Sequence, residues 1–485
     1  MNFSGELASR CSGSSRLVNA KTNEVSSDVG TLIAQSAGFF MSLGLKPGER
    51  IIITCRLSPA SALAYLGAMY AGLVAIPIDA SNLLTDISTY IELTGARAVW
   101  SEIDDSQKLK IPPEVLYIHA SQMLGGGALP HPVPRTAADL AVLMPTSGTT
   151  GKPRFVMVSH GNLLANTEAI VRSQRLGGGE AAMLILPISY CFGASVLHSH
   201  LYCGGSVVFD NRFMFPDKVL RSIAEYGCTT FAGVPSVYKI LLSRSSLTTI
   251  PMPSLRRAIQ AGGHLEWRHI EQFASCLPDV PFYVMYGQTE ATARITCLES
   301  EKLFDKRGSV GRPLDNLKLR IVDESGASLP AQQSGAIQVS GPSVCLGYWN
   351  DPEETRAKFN GSWLNTNDSG RMDEEGYVWI EGRNVDFLKV RGKRLSFGEI
   401  ERKVLCVEGV KDAAVCAIPH EEAGEAPVVF VVPDKGVLHE ELIGKIKGAL
   451  PPVWTCEKII IIDHLPLTDR GKLNRAALNL LLEEP

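Results

Sequence analysis

A chain of 485 residues is longer than one hydrophobic core usually supports, so at least two domains are expected. Lys and Arg number 47 against 51 Asp and Glu, a net charge of −4 that lacks the basic excess a nucleic-acid partner demands. With 45% hydrophobic and 20% charged residues, 44 Gly and 28 Pro, the composition is that of a globular enzyme rich in shaped turns, and excludes a disordered or fibrous chain.

The first residues, MNFSGELASRCSG, lack the apolar core of a secretory signal. The eleven cysteines form no CxxC pair and no Cys/His cluster, which argues against structural zinc and a disulfide framework and favours the cytoplasm. Helical patterning over 31–43 and 60–72 alternates with apolar runs at 51–54 and 74–78, a β/α rhythm. Residues 57–78 carry no charge, but Ser58, Ser61, Gly67, Gly72 and Pro77 mark a buried helix running into a strand, not a membrane span.

Further runs at 98–100, 115–119, 141–144 and 155–158, then a helix over 161–173, predict an α/β fold with mostly parallel, doubly wound sheets. From 317 to 380 short strands split by Gly and Pro predict a small β subdomain. The remainder predicts strands at 413–418, 428–432 and 459–462 and a helix near 440–450. The expected division is an N-terminal domain over 1–382, its residues 316–382 forming the β subdomain, a hinge at 383–389, and an α+β C-terminal domain over 390–485.

Four stretches carry chemistry. MPTSGTTGKPRFVMVSH, residues 144–160, joins two apolar strands through a Gly/Ser/Thr-rich loop with one lysine, whose backbone amides, hydroxyls and ammonium suit phosphate oxygens. It is not a Walker A loop, because only Thr149 and Thr150 separate Gly148 from Gly151. The competing reading is a flexible hairpin turn. MYGQTEATAR, residues 285–294, follows an apolar strand; Tyr286 can stack on a base, Thr289 can donate to phosphate and Glu290 can hold Mg²⁺, or the segment is simply a solvated helix start. In residues 363–401 Asp368 suits ribose hydroxyls and Arg383 phosphate or ribose, against an exposed charged hairpin. LPLTDRGKLNR, residues 465–475, sets Lys472 in a Gly-flexed loop, where surface charge is the plain alternative.

In this order and spacing the four stretches resemble the adenylate-forming (AMP-binding) superfamily of acyl- and aryl-CoA synthetases, peptide-synthetase adenylation domains and luciferases. GVPSVYKILL, SLRRAIQAGG and GYWNDPEET add supporting matches. The resemblance implies an ATP- and Mg²⁺-dependent ligase that converts a carboxylic acid to acyl-AMP and passes the acyl group to a thiol, with the C-terminal domain as a mobile lid. It implies a phosphate loop at Thr146, Ser147, Gly148, Thr149, Thr150, Gly151 and Lys152, an adenine site at Gly262, Gly263 and Tyr286, and Thr289 and Glu290 at the α-phosphate and metal. Asp368 and Arg383 then serve the nucleotide, and Lys472 stabilises the charge of adenylation.

The acid pocket is expected among Tyr190, Cys191, Phe192, Gly193, Tyr238, His264 and Met285. Amino-acid-activating relatives carry an Asp where this chain has Cys191 or Gly193, so an α-amino acid is disfavoured and an acyl or aryl acid expected. Tyr190 replaces a frequent His, Asn367 a frequent Gly, and Val385 an acid or Lys at the hinge. LSFGEIE leaves CoA and a separate acyl carrier protein both open as acceptor. The alternative function is a non-catalytic nucleotide-binding or scaffold protein, which would be expected to lose some of Lys152, Glu290, Asp368, Arg383 and Lys472; all five are present.

Overall fold

The computed structural model describes residues 1–11, 13–80, 83–103, 110–123, 129–147, 153–383, 387–390, 393–420, 424–451, 454, 456, 458–467 and 473–483. Two compact units emerge, Met1–Leu319 with Val339–Leu364, and Arg320–Gln338 with Asn365–Pro485. The second unit thus takes in residues 365–382, and residues 384–386 of the expected hinge lie outside the described residues.

The larger unit holds two sheets. One has six strands in the order Leu116–His119, Ala98–Ser101, Arg50–Cys55, Val74–Asp79, Leu140–Ser147 and Pro153–Ser159; all neighbours are parallel except the last pair. Ile51, Ile52 and Ile53 are fully buried, as a parallel strand covered on both faces requires. The uncharged stretch resolves as expected into the helix Pro59–Tyr70, capped by the Ser58 hydroxyl with Pro59 in its first turn, and the strand Val74–Asp79. Among the described residues no helix is long and apolar enough to cross a membrane.

The other sheet has nine strands, Arg312–Pro313, Thr296–Leu298, Phe282–Tyr286, Arg257–Gln260, Thr230–Gly233, Ala181–Leu184, Ser206–Phe209, Arg16–Asn19 and Glu24–Ser27. Its middle, from Phe282–Tyr286 to Arg16–Asn19, is parallel throughout. Phe231, Tyr238, Phe273 and Phe282 interlock edge-on beneath it. The buried pair Glu180–Arg257 adds two contacts of 2.7 and 3.0 Å. The strand Arg16–Asn19 is not legible from the local pattern, since four residues give too short a period.

In the smaller unit the strands Val410–His420 and Gly424–Pro433 pair antiparallel, with Lys458–Ile461 parallel to the latter. Strand alternation sends Val429 and Val431 to a core with Ile400, Val404, Leu442 and Ile446, and Val428 and Phe430 to a second core with Leu478. Helices Phe397–Leu405, His439–Ala449 and Arg475–Glu483 supply these covers.

Candidate active site

Three parallel strands in the middle of the nine-stranded sheet end in the segments that the sequence singles out: Ala181–Leu184 leads to residues 190–193, Arg257–Gln260 to Gly262 and Gly263, and Phe282–Tyr286 to Thr289 and Glu290. Carboxyl ends of parallel strands are where open α/β sheets bind ligands.

Beyond Tyr286 the chain turns sharply back. A Cβ on Gly287 would stand 1.7 Å from the Ala293 carbonyl, so only glycine fits. Thr292 holds a φ of +67°, an outlier for a β-branched residue, and its hydroxyl is pinned by donating to the Ser343 carbonyl at 2.7 Å. The turn presents Thr289 and Glu290, the start of a short 3₁₀ turn.

Glu290 does not project into solvent. Its Oε1 accepts a 2.6 Å hydrogen bond from the Tyr348 hydroxyl and lies 3.8 Å from the Lys358 ammonium, with both charged side chains nearly buried. Burial, and then the Glu290 charge, push the Tyr348 hydroxyl's pKa far above its ordinary value, so it stays a donor at any working pH.

The segment with Tyr348 also binds the phosphate-loop hairpin. The amide of Cys345 donates to the Glu290 carbonyl, that of Leu346 to Met157, and that of Trp349 to Phe155, while the Met157 amide donates to Gly347. The strand Pro153–Ser159 so engaged pairs with Leu140–Ser147, placing Thr146 opposite Arg154 and Ser147 opposite Pro153. Gly148, Thr149, Thr150, Gly151 and Lys152 lie outside the described residues. Tyr348 and Lys358 were not singled out by sequence reasoning; the supporting match GYWNDPEET contained the first without indicating its partner.

The acid-side residues divide. The helix Cys191–Tyr202 starts after Tyr190, and a Cβ on Gly193 would stand 2.2 Å from the Pro187 carbonyl, so position 193 has no room for a side chain. Cys191 is therefore the position that faces the site, its Sγ 3.5 Å from the Thr289 hydroxyl. Gly262, at φ +84°, approaches Val234 and Phe192, where a Cβ would lie 3.1 and 3.9 Å from them. Gly263, His264 and Met285 share a cleft with Trp267 and Ser309. His264 is exposed and pairs with Glu266 at 3.2 Å. Tyr238, expected in the pocket, is fully buried in the aromatic core, its hydroxyl donating to Ile259 at 2.7 Å; the phase of the helix Pro235–Arg244 turns it inward.

Arg294, the last residue of MYGQTEATAR, received no role from the sequence. Its backbone is clasped by Asn166, and its guanidinium lies 4.6 Å over the Phe192 ring, 3.3 Å from the Ser195 hydroxyl and against the Met285 sulfur.

In the smaller unit Asp368 is buried on Trp363–Met372 opposite Arg383 on Val378–Arg383, with a bulge at Ser369 and Gly370. Asn367 sits at φ +61°, the left-handed region that Gly favours and Asn tolerates best among side chains. That accounts for Asn where relatives often have Gly. Lys472 lies outside the described residues; the flanking Leu467 and Leu473 bridge each other, and Arg475 anchors the far side through Val415 and Glu401.

Comparison with known proteins accords with this geometry. The family model described as AMP-binding enzyme matches residues 26–349, and that of the AMP-binding enzyme C-terminal domain matches residues 399–472. This chain belongs to the AMP-binding enzyme family. Its relatives include the 4-coumarate–CoA ligase-like 6 of Arabidopsis thaliana, 27% identical over 93% of this chain and 84% of the relative. A 2-succinylbenzoate–CoA ligase of Bacillus cereus is 31% identical over 70% and 69%. Among solved structures, ATP-bound MatB from Rhodopseudomonas palustris superposes with a TM-score of 0.89 at 27% identity, covering 100% and 99% of the two chains. The chain is an AMP-forming acid–thiol ligase that uses ATP. The Mg²⁺ expected from the sequence characteristically takes one or two carboxylates plus substrate phosphates. The nearly buried Glu290 carboxylate, which follows Thr289 in sequence, is of the kind such a site would use.

Proposed function

We propose that this ligase activates a non-amino acyl or aryl acid at Cys191 and Thr289 and hands it to the thiol of CoA. The observation that carries the reading is the 3.5 Å approach of Thr289 to Cys191, which brings the proposed α-phosphate donor to the start of the acid segment. In the first step the acid's carboxylate oxygen bonds to the α-phosphorus while the bond to pyrophosphate breaks. Like charges repel in that attack, so catalysis consists of positioning and charge neutralisation. Bound Mg²⁺ supplies part of that neutralisation; Glu290 would hold it, Thr289 would donate to the phosphate, and Lys472 would face the developing charge.

Residues 146–152 would cradle the distal phosphates, Gly262, Gly263 and Tyr286 the adenine, and Asp368 and Arg383 the ribose and phosphate. In the second step the thiol attacks the acyl carbonyl and AMP leaves. A lid formed by residues 390–485, turning at 383–389, would expose Lys472 for the first step and withdraw it for the second. CoA is favoured over a carrier protein because the named relatives are CoA ligases. We place the enzyme in the cytoplasm, where CoA, ATP and reduced cysteines coexist.

Acid-dependent ATP–pyrophosphate exchange with a panel of carboxylic acids, followed by transfer to CoA and to a phosphopantetheinylated carrier protein, tests the reading. Exchange with aryl or acyl acids and transfer to CoA are expected. Exchange confined to α-amino acids, or transfer to the carrier alone, would overturn it.

A further inference from the structure

A fully buried guanidinium underlies a half-buried aromatic ring in the acid segment. Arg294 is 2% exposed, and its Cζ stands 4.6 Å from the centroid of the Phe192 ring. The backbone of Arg294 cannot drift, because the Asn166 side-chain amide donates to its carbonyl at 2.9 Å and accepts from its N–H at 3.3 Å. One terminal nitrogen of the guanidinium donates to the Ser195 hydroxyl at 3.3 Å, and the other lies against the Met285 sulfur. Ser195 passes the contact on by donating to the Phe192 carbonyl at 2.7 Å. Phe192 is therefore held twice, its carbonyl through Ser195 and its ring by the cation beneath it.

This hold is charged. Burial lowers the Arg294 pKa to about 10, which leaves the guanidinium protonated at neutral pH, and a cation–π contact is strongest when the cation is desolvated. Leucine or methionine would fill the same space without the cost of burying a charge, but neither would fix the plane of the ring.

The position of Phe192 gives that fixity its use. The preceding residue, Cys191, meets the Thr289 hydroxyl at 3.5 Å, and the following one, Gly193, is packed against the Pro187 carbonyl. The edge of the Phe192 ring reaches the turn after the strand Arg257–Gln260, where a Cβ on Gly262 would lie 3.9 Å from its Cδ1. The ring thus stands between the acid segment and the Gly262 turn, with the cation behind it.

Resting on the ligase reading above, we propose that Arg294 is a positioning residue, which fixes the Phe192 ring as a rigid wall of the acid site so that the acid is selected by its fit against that wall. The guanidinium itself acts through Phe192 and meets no substrate.

Arg294→Met, Phe192→Leu and the double variant form a cycle in chemical denaturation that needs no substrate. A coupling of at least ~fivefold in the folding equilibrium is expected of a desolvated cation–π pair, with Arg294→Lys losing less than Arg294→Met. Additive effects of the two substitutions would overturn the proposal. In pyrophosphate exchange with benzoate, cinnamate and hexanoate, Arg294→Met should raise the KM for the acid roughly tenfold and flatten the preference among the three, while the KM for ATP stays within about twofold. Arg294→Lys should restore part of the preference. Equal rises in both KM values, or a preference among the acids that Arg294→Met leaves unchanged, would overturn the proposal even with coupling present. Should Arg294→Met not fold, Ser195→Ala removes the link between the guanidinium and the Phe192 carbonyl, and is held to the same split between the two KM values. Absence of exchange with every acid would sink the ligase reading, whereas the coupling would still decide whether Arg294 holds the ring.

Discussion

The Tyr348 hydroxyl donates a 2.6 Å hydrogen bond to Glu290 Oε1, tying the strand that follows the phosphate loop to the proposed metal ligand. Tyr348 fixes the carboxylate's direction and leaves the metal to be held by the carboxylate itself. Tyr348→Phe should raise the KM for Mg²⁺–ATP about tenfold, the effect of losing an outer-shell partner, with a smaller change in kcat. Glu290→Gln should be worse, ten- to hundredfold, and should shift the Mg²⁺ dependence of exchange to higher concentration. A Mg²⁺ titration that is the same for both variants and wild type would remove the pair from the metal site.

Lys472 separates the two half-reactions. Lys472→Ala should slow acyl-AMP formation by roughly a hundredfold or more, the range for one lost transition-state donor. Thiolation of acyl-AMP supplied ready-made should be largely spared. Equal loss in both steps would mean damage to the whole C-terminal unit, and loss in neither would return Lys472 to a surface charge.

Asn367 carries the proposed ribose carboxylate of Asp368 from a left-handed residue. Asn367→Gly should cost a few tenths of a kcal/mol at most, whereas Asn367→Val should destabilise by about 1–2 kcal/mol, because a β-branched side chain clashes there. Chemical denaturation of the two variants checks this, and equal midpoints would count against the strain argument.

Three histidines of the larger unit are buried neutral. Burial lowers His198 to about 3 and His160 and His200 to about 4, from 6.5 when exposed. The unfolded chain thus binds protons that the folded chain does not, and stability is full above pH 6.5 and falls as pH drops from there towards 4. His198 packs against Phe3 and Tyr65, its ring centroid 4.9 and 5.7 Å from theirs. Thermal melts between pH 7 and 4 should show a steep decline that His198→Leu flattens, whatever it does to stability at pH 7. An unaltered slope would assign the acid sensitivity elsewhere.

Local pattern disclosed what depends on neighbours in sequence. The strand Arg50–Cys55 announces itself by three isoleucines, and the helix His160–Ser173 is expected over 161–173. Contacts between distant segments left no such trace: nothing near Tyr348 indicates Glu290, and Arg294 looks like a routine charge until its burial is seen. Tyr238 misled because an aromatic beside a glycine-rich strand end suits a pocket and a core equally; helix phase decides for the core. Asn367 was visible only as a departure from relatives, and the positive φ supplies its reason.

The strand Arg16–Asn19 takes its place beside Ser206–Phe209, with Arg16 and Ser206 joined across 190 positions of chain. During synthesis at roughly 5–20 residues per second, that strand leaves the ribosome on the order of ten seconds or more before the edge it completes exists. Until then Leu17 and Val18, buried in the finished sheet, have no native neighbour on that side. The nascent chain thus passes through a long interval in which one edge of this strand is apolar and unpaired, the stage at which chaperone capture and misassembly compete with folding.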